Sequence, residues 1–441
     1  MTDLSEKIEK FRSGDLALLP HLENLCSLIE EQEPRLSVFV PGTFNRKQII
    51  DQGKRLFEKF PEPSERPSLF GLTLGVKDIF NAKGYSTRCG SMLPEDEFKG
   101  KQASSVSRLM EAGAVIMGKT VTAEFAIFEP GPTKNPFDHS RSPGGSSSGS
   151  AAGLAAGFFS SSLGTQTIGS IIRPAAYCGV IGFKPSYGRI PTDGVIPVSP
   201  SLDHVGFFCT DTSALSLISE ALLKGWKPSK KNLAEAQRKT LFIPDEKYVF
   251  QASERERLYF FDQIENLKAC GYRIENCDFL SDISSINKIH RKIMQAEAAR
   301  IHSRWYSEYG GTYRAGTKKL IEDGAKITVG ELEELQDRLD KERYRLKKQI
   351  ADMGADFFLS PPATDRAPKG LESTGDPVMN LPWTFIGLPA ISLPTFFDTE
   401  GLPHGLQIAA NHGTDEDLVS FAEAISKHFT LDPVLSRPSI F

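Results

Sequence analysis

The chain has 441 residues, with 52 basic against 56 acidic side chains and a formal net charge of −4. A hydrophobic content of 39% with 24% charged residues describes a folded globular protein and excludes a disordered chain. Near-balanced charge argues against a broad basic face for nucleic acid, and six cysteines without a CxxC pair make neither a disulfide framework nor a zinc site.

No apolar run reaches the roughly 18 to 20 residues of a membrane helix. The opening MTDLSEKIEKFRSGD is polar and mixed in charge, unlike a signal peptide, so a cytoplasmic protein is expected. Leu18, Leu22, Leu25, Leu28 and Ile29 recur at helical spacing, and Ile49, Ile50, Leu56 and Phe60 predict a second helix. Pro61, Pro63 and Pro67 end that pattern. Short apolar runs then alternate with helical stretches. Leu72 to Val76 reads as a strand, Ser104 to Glu111 as a helix and Ala114 to Met117 as a strand.

Farther along, Thr240 to Ile243 predicts a strand and Glu254 to Ala269 a helix closed by Gly271, with Tyr272 to Ile274 as the next strand. Val329 to Ile350 carries Leu332, Leu335, Leu339 and Leu346 on one face and reads as an amphipathic surface helix. Ala390 to Phe396 and Leu406 to Ala409 predict strands, and Thr414 is expected to cap a helix through Ile425. The alternation predicts an α/β architecture, a single large domain whose central sheet, mostly parallel or mixed, is covered by helices on both faces.

Residues Gly113 to Thr120 match GxxxxGK[ST], the phosphate loop of nucleotide hydrolases. That loop needs a strand before its first glycine and a helix after its lysine. Here a helical pattern precedes Gly113, and the apolar tetrad Ala114 to Met117 occupies the place of the loop. The order predicts helix, glycine stop, buried strand and turn, with Gly113 and Lys119 structural.

Between Arg141 and Arg173 no charged residue occurs. A linker there would expose Leu154, Phe158, Phe159, Leu163, Ile168, Ile171 and Ile172, and dense serines disfavour a membrane span. A buried, close-packed active-site core fits better. Small residues permit close backbone approach, Ser150 to Gly157 can form a packed helix, and Thr167 to Ser170 can turn successive N–H groups toward one point.

GGSSSGSAA from Gly144, followed by GTQTIGSIIRPA from Gly164, resembles the amidase signature family of serine hydrolases. GVKDI from Gly75, CGS from Cys89, the segment Glu111 to Thr120, Asn135-Pro136, CGVIGFKP from Cys178, NLP from Asn380, GLP from Gly387 and GLQ from Gly405 fall in the expected order. The resemblance divides one amidase domain, 1–441, into N-terminal helices (1–65), a catalytic core (66–240), a variable part shaping the pocket (241–375) and a C-terminal part of the core (376–441). It implies a Ser–Ser–Lys triad: Lys77 as base, Ser146 as relay behind a cis peptide, and Ser170 as nucleophile, 24 residues after Ser146. Backbone N–H groups of Thr167, Ile168, Gly169 and Ser170 would form the oxyanion hole, with Gly145, Gln166 and Arg173 as substrate-binding candidates. No metal or other cofactor is implied.

The implied chemistry is coherent. A serine hydroxyl needs a base, and Lys77 is one only when neutral. A lysine buried without a carboxylate partner can lose about 3 to 5 pKa units. Adjacent Asp78 would defeat this unless it leaves the strand on the other side. None of the eight histidines is required, and Cys178 is expected to pack as an apolar residue.

Against the common family pattern GTDTGGSIR, Gln166 replaces Asp, Ile168 replaces Gly, and Arg173 falls three residues after Ser170, not two. Ile168 requires a loop with ordinary φ. The arrangement is closest to the malonamidase-like branch, where the arginine would hold a substrate carboxylate; the competing reading of Arg173 is a structural salt bridge. The expected partner is a small amide, with no nucleic acid or membrane, and homodimers occur among relatives. The alternatives are the amidase subunit of a tRNA-dependent amidotransferase and, in a different class, a catalytically silent scaffold or a nucleotide binder. Met294, Trp305, Tyr306, Tyr309 and Tyr313 are candidate pocket residues within the segment Ile283 to Asp365.

Overall fold

The computed structural model describes residues 3–229 and 233–429, so the last twelve residues of the expected C-terminal part lie outside it. Its apolar runs assemble into one ten-stranded sheet. In chain order the strands are β1 (Thr73–Lys77), β2 (Val115–Thr120), β3 (Ser161–Gln166), β4 (Ile181–Lys184), β5 (His204–Cys209), β6 (Thr240–Ile243), β7 (Arg273–Asn276), β8 (Phe357–Ser360), β9 (Ala390–Phe397) and β10 (Pro403–Ala410). They lie side by side as β2-β1-β3-β5-β4-β9-β10-β8-β6-β7. The sheet is mixed rather than mostly parallel. Parallel pairings occupy its two ends, and the middle, from β3 to β8, is antiparallel.

Alternation along the strands explains the two covered faces. Ile116 and Phe207 enter one apolar cluster, while Val115, Met117 and Phe208 enter another. The second cluster is closed by N-terminal helices α2 (Leu18–Leu36) and α3 (Arg46–Lys59). A first helix, α1 (Leu4–Ser13), falls within the expected N-terminal helical part, where Leu4, Ile8 and Phe11 bury one face at helical spacing. Later come α4 (Ser104–Glu111), α5 (Ser148–Ala155), which lies inside the charge-free segment, and α6 (Ile172–Tyr177), which starts at its last residue.

The long helix Val329–Met353 starts with a Thr328–Glu331 capping box and buries Leu332, Leu339 and Leu346 as its pattern predicts; Leu335 is half-buried, and Ile350 is buried besides. Thr414 does not cap as expected. Its hydroxyl donates to the Asn411 carbonyl instead (2.8 Å), and helix Asp415–Ile425 begins without a side-chain cap. No helix among the described residues is long and apolar enough to cross a membrane.

The phosphate-loop match resolves into ordinary packing. Helix α4 stops at Gly113, whose φ of +100° and 2.7 Å clearance from the Phe70 backbone exclude a side chain. Strand β2 starts two residues after Gly113 and runs on through Gly118, and Lys119 is fully buried on it. Its ammonium pairs with Asp78 at 2.9 Å and donates to Thr87 Oγ1 at 2.9 Å. Lys119→Met is expected to leave Asp78 as an uncompensated buried carboxylate, costing about 3 to 5 kcal/mol in urea denaturation. Adding ATP to wild type should leave its melting temperature unchanged.

Candidate active site

The site is built where β1 ends against the serine-rich turn before α5. Lys77, the last residue of β1, is fully buried, and its Nζ donates to Ser146 Oγ (2.9 Å) and Thr165 Oγ1 (2.7 Å). No carboxylate pairs with it among the described residues, because Asp78 turns to Lys119. Burial lowers the Lys77 pKa to about 7, opposed by the negative charge of Asp203.

Ser146 follows a cis Gly145–Ser146 peptide, as the family resemblance implies, and is buried. The neighbouring serines satisfy backbone carbonyls inside the core. Ser148 Oγ donates to Gly144 O (2.8 Å), Ser150 Oγ to Leu163 O (2.9 Å) and Ser162 Oγ to Ser150 O (2.9 Å). Without such partners each buried hydroxyl would be costly. Gly149 shows why small residues are needed: an added Cβ would stand 2.3 Å from Val38 O.

Ser170 begins the turn into α6 and is half-buried. It lines a narrow cavity with Thr167, Ile168, Gly169, Arg173, Met294 and Pro377. Lys77 and Ser146 are joined, whereas no hydrogen bond links Ser146 to Ser170. The amides of Thr167, Ile168, Gly169 and Ser170 have no protein acceptor among the described residues, which leaves them free for an oxyanion. Ile168 stays outside the left-handed region, as its β-branched side chain requires.

Gln166 serves this loop from beneath, not the cavity. It is fully buried, its Oε1 accepts from the amides of Ile171 (2.9 Å) and Ile172 (3.0 Å), and its Nε2 donates to Thr384 Oγ1 (3.0 Å). Thr384 Oγ1 in turn donates to Ile168 O (2.7 Å). Gly145 offers its carbonyl to Arg173 Nη2 (2.7 Å), and Arg173 Nε donates to Thr374 O (2.7 Å). Arg173 forms no salt bridge among the described residues, so the structural-pair reading does not hold. Its Nη1 is buried without a partner beside the Ser170 cavity.

Met294 alone of the pocket candidates reaches that cavity. Trp305 and Tyr313 pack on Phe125, the residue before the cavity wall Ala126–Phe128, and Tyr306 packs on Tyr313. Tyr309 donates instead to Glu97 (3.2 Å). Cys178 packs in the apolar cluster as expected. Thr165, Asp203, Thr374 and Thr384 were not singled out. Thr165 lies inside a quoted motif, but nothing in the sequence marks the other three.

A family profile described as Amidase matches residues 22–419. The chain belongs to the amidase family. It is 29% identical to a glutamyl-tRNA(Gln) amidotransferase subunit of Sulfolobus acidocaldarius, over 97% of this chain and 99% of that protein. The counterpart from Trichormus variabilis, which bears the same name, is also 29% identical, with both chains fully covered. A crystal structure of an amidase superposes with a TM-score of 0.85 at 27% identity, covering 97% of this chain and all of that one. The fold is shared with the peptide amidase of Stenotrophomonas maltophilia (TM-score 0.82, 22% identity, 99% and 98% covered).

The depressed pKa of Lys77 has a consequence for stability. Its folded value of about 7 lies below the unfolded value of about 10.4, so the unfolded chain binds more protons between these limits. The lysine's contribution to stability therefore rises with pH across that window. Lys77→Met should gain stability relative to wild type at pH 7, and the gain should shrink toward pH 10 in paired urea titrations.

Proposed function

We propose that this member of the family hydrolyses a carboxamide through an acyl-enzyme on Ser170. The observation that carries this is the buried Lys77 Nζ resting on Ser146 Oγ at 2.9 Å, with no carboxylate in direct contact with it among the described residues. In the neutral form Lys77 accepts the Ser146 proton while Ser146 takes that of Ser170, whose Oγ adds to the substrate carbonyl. The oxyanion meets the amides of Thr167 to Ser170. The proton then returns through Ser146 to the leaving nitrogen, the C–N bond breaks, and water releases the acid by the same route.

The open Nη1 of Arg173 supports a substrate with a carboxylate, in keeping with the malonamidase-like motif. A buried guanidinium without a counterion is costly, and a substrate carboxylate would supply one by a charge-assisted bond. A second reading is favoured by the relatives. Their names place them in amidotransferases, and they align over nearly the whole chain, so the same hydrolysis could supply ammonia to a partner protein. Both readings share the Ser170 chemistry and differ in donor amide and assembly.

Ammonia release from malonamate-like acids, glutamine and neutral aliphatic and aromatic amides separates them. Ser170→Ala and Lys77→Ala should each lose at least about 10³-fold in kcat. Arg173→Gln should raise KM about 100-fold for carboxylated amides alone. An equal rise for neutral amides would remove the carboxylate reading. Turnover of glutamine only, together with a co-purifying second protein, would select the amidotransferase reading.

A further inference from the structure

Asp203 lies one residue before β5, outside every motif that points to Lys77, Ser146 and Ser170. Yet its carboxylate touches the site. Oδ1 accepts from the Thr167 hydroxyl at 2.5 Å, and Oδ2 accepts from the amides of Val198 (2.9 Å) and Ser199 (3.0 Å). Thr167 carries the first amide of the proposed oxyanion hole. Asp203 also shares the wall of a cavity of about 420 Å³ with Thr165, the second hydroxyl that receives the Lys77 ammonium.

We propose that Asp203 is a positioning residue of the reaction, pinning Thr167 so that the oxyanion amides converge and holding one negative charge toward Lys77. The inference rests on the hydrolase reading above. Three grips from the Val198–Ser199 turn and Thr167 fix the carboxylate, so both effects come from one group. Its charge is the opposing influence on Lys77, which burial otherwise drives toward the neutral form.

The other titratable groups facing this carboxylate leave it as the source of that field. Glu297, from the helix Ile283–Ile301, is occupied by Ser199 Oγ (2.5 Å) and Gln336 Nε2 (2.8 Å). Burial keeps His204 well below its ordinary pKa and His290 at about 3, so neither is charged near neutrality. Arg343 donates to the carbonyls of Ser201 (2.9 Å) and Phe385 (2.7 Å). Asp193, in the same cavity wall, accepts from Ser104 Oγ at 2.6 Å. Asp203 itself is pushed up to about 6 by burial, so it is charged where Lys77 titrates.

The test follows the rate at which a fluorophosphonate labels Ser170 as pH varies, a readout that needs no substrate. Wild type, Asp203→Asn and Thr167→Val are compared, with melting temperatures confirming that each is folded. Wild type should show an acid limb centred near pH 7. In Asp203→Asn that limb should move down by about one unit, because Lys77 loses the charge that favours its protonated form. Thr167→Val keeps the Asp203 carboxylate but removes a hydrogen bond that favours its charged form. Its limb should move by less than that of Asp203→Asn, while labelling slows about tenfold as the amides lose their anchor. A folded Asp203→Asn whose limb superimposes on wild type would overturn the field, and undiminished labelling of Thr167→Val would overturn the pinning. Wild type that is not labelled at all, under conditions that label a known serine hydrolase, would bring down the hydrolase reading itself and this inference with it.

Discussion

The constraint on which the rest of the site depends is a lysine sealed in the core with no counterion in contact among the described residues. An ammonium removed from water costs several kcal/mol unless a partner compensates it, and among the described residues Lys77 bonds only to the hydroxyls of Ser146 and Thr165. Two hydroxyls can hold either protonation state, whereas a carboxylate would hold only the charged one. The fold maintains this by sending the next residue elsewhere: Asp78 is neutralised by Lys119. Two buried lysines near the ends of neighbouring strands thus have opposite fates. One is paired and structural, the other unpaired and available as a base.

That arrangement explains the unusual composition around it. A charged side chain near Lys77 would fix its proton, and a large one would separate strand, turn and loop. The segment from Ser142 to Ile172 is therefore uncharged and rich in small residues, and Ser148, Ser150 and Ser162 donate to backbone carbonyls inside it. The same packing reaches the loop before α6. Gly169 lies against Asn380, where a Cβ would stand 2.3 Å from Oδ1, and Gln166 and Thr384 tie the loop to the sheet from below. The side facing the cavity is left with free amides, the Ser170 hydroxyl and one open guanidinium nitrogen.

Much of this was legible because it depends on local residue type. Strands and helices such as Thr240–Ile243 and Glu254–Ala269 match their patterns to the residue, since apolar periodicity decides them. The Lys77–Ser146 contact was legible through the spaced motifs, and its chemistry through the absence of nearby charge. Other features were hidden. The aromatics Trp305, Tyr306 and Tyr313 read as pocket lining, but they are absent from the cavity wall and pack instead on Phe125 and on one another, a relation set across distant elements.

The sequence by itself determined the α/β class, the charge-free core and the identity of the proposed base, relay and nucleophile, because each follows from residue chemistry at short range. Tertiary structure decided what those residues face. It paired Asp78 with Lys119, turned Gln166 beneath the loop, left Arg173 Nη1 open and brought Asp203 onto Thr167 across the β3–β5 pairing. The physical reason is that a pKa, an orphaned donor or a converging set of amides is a property of surroundings. Those surroundings come from strands and helices far apart in the chain, whose register no local pattern specifies.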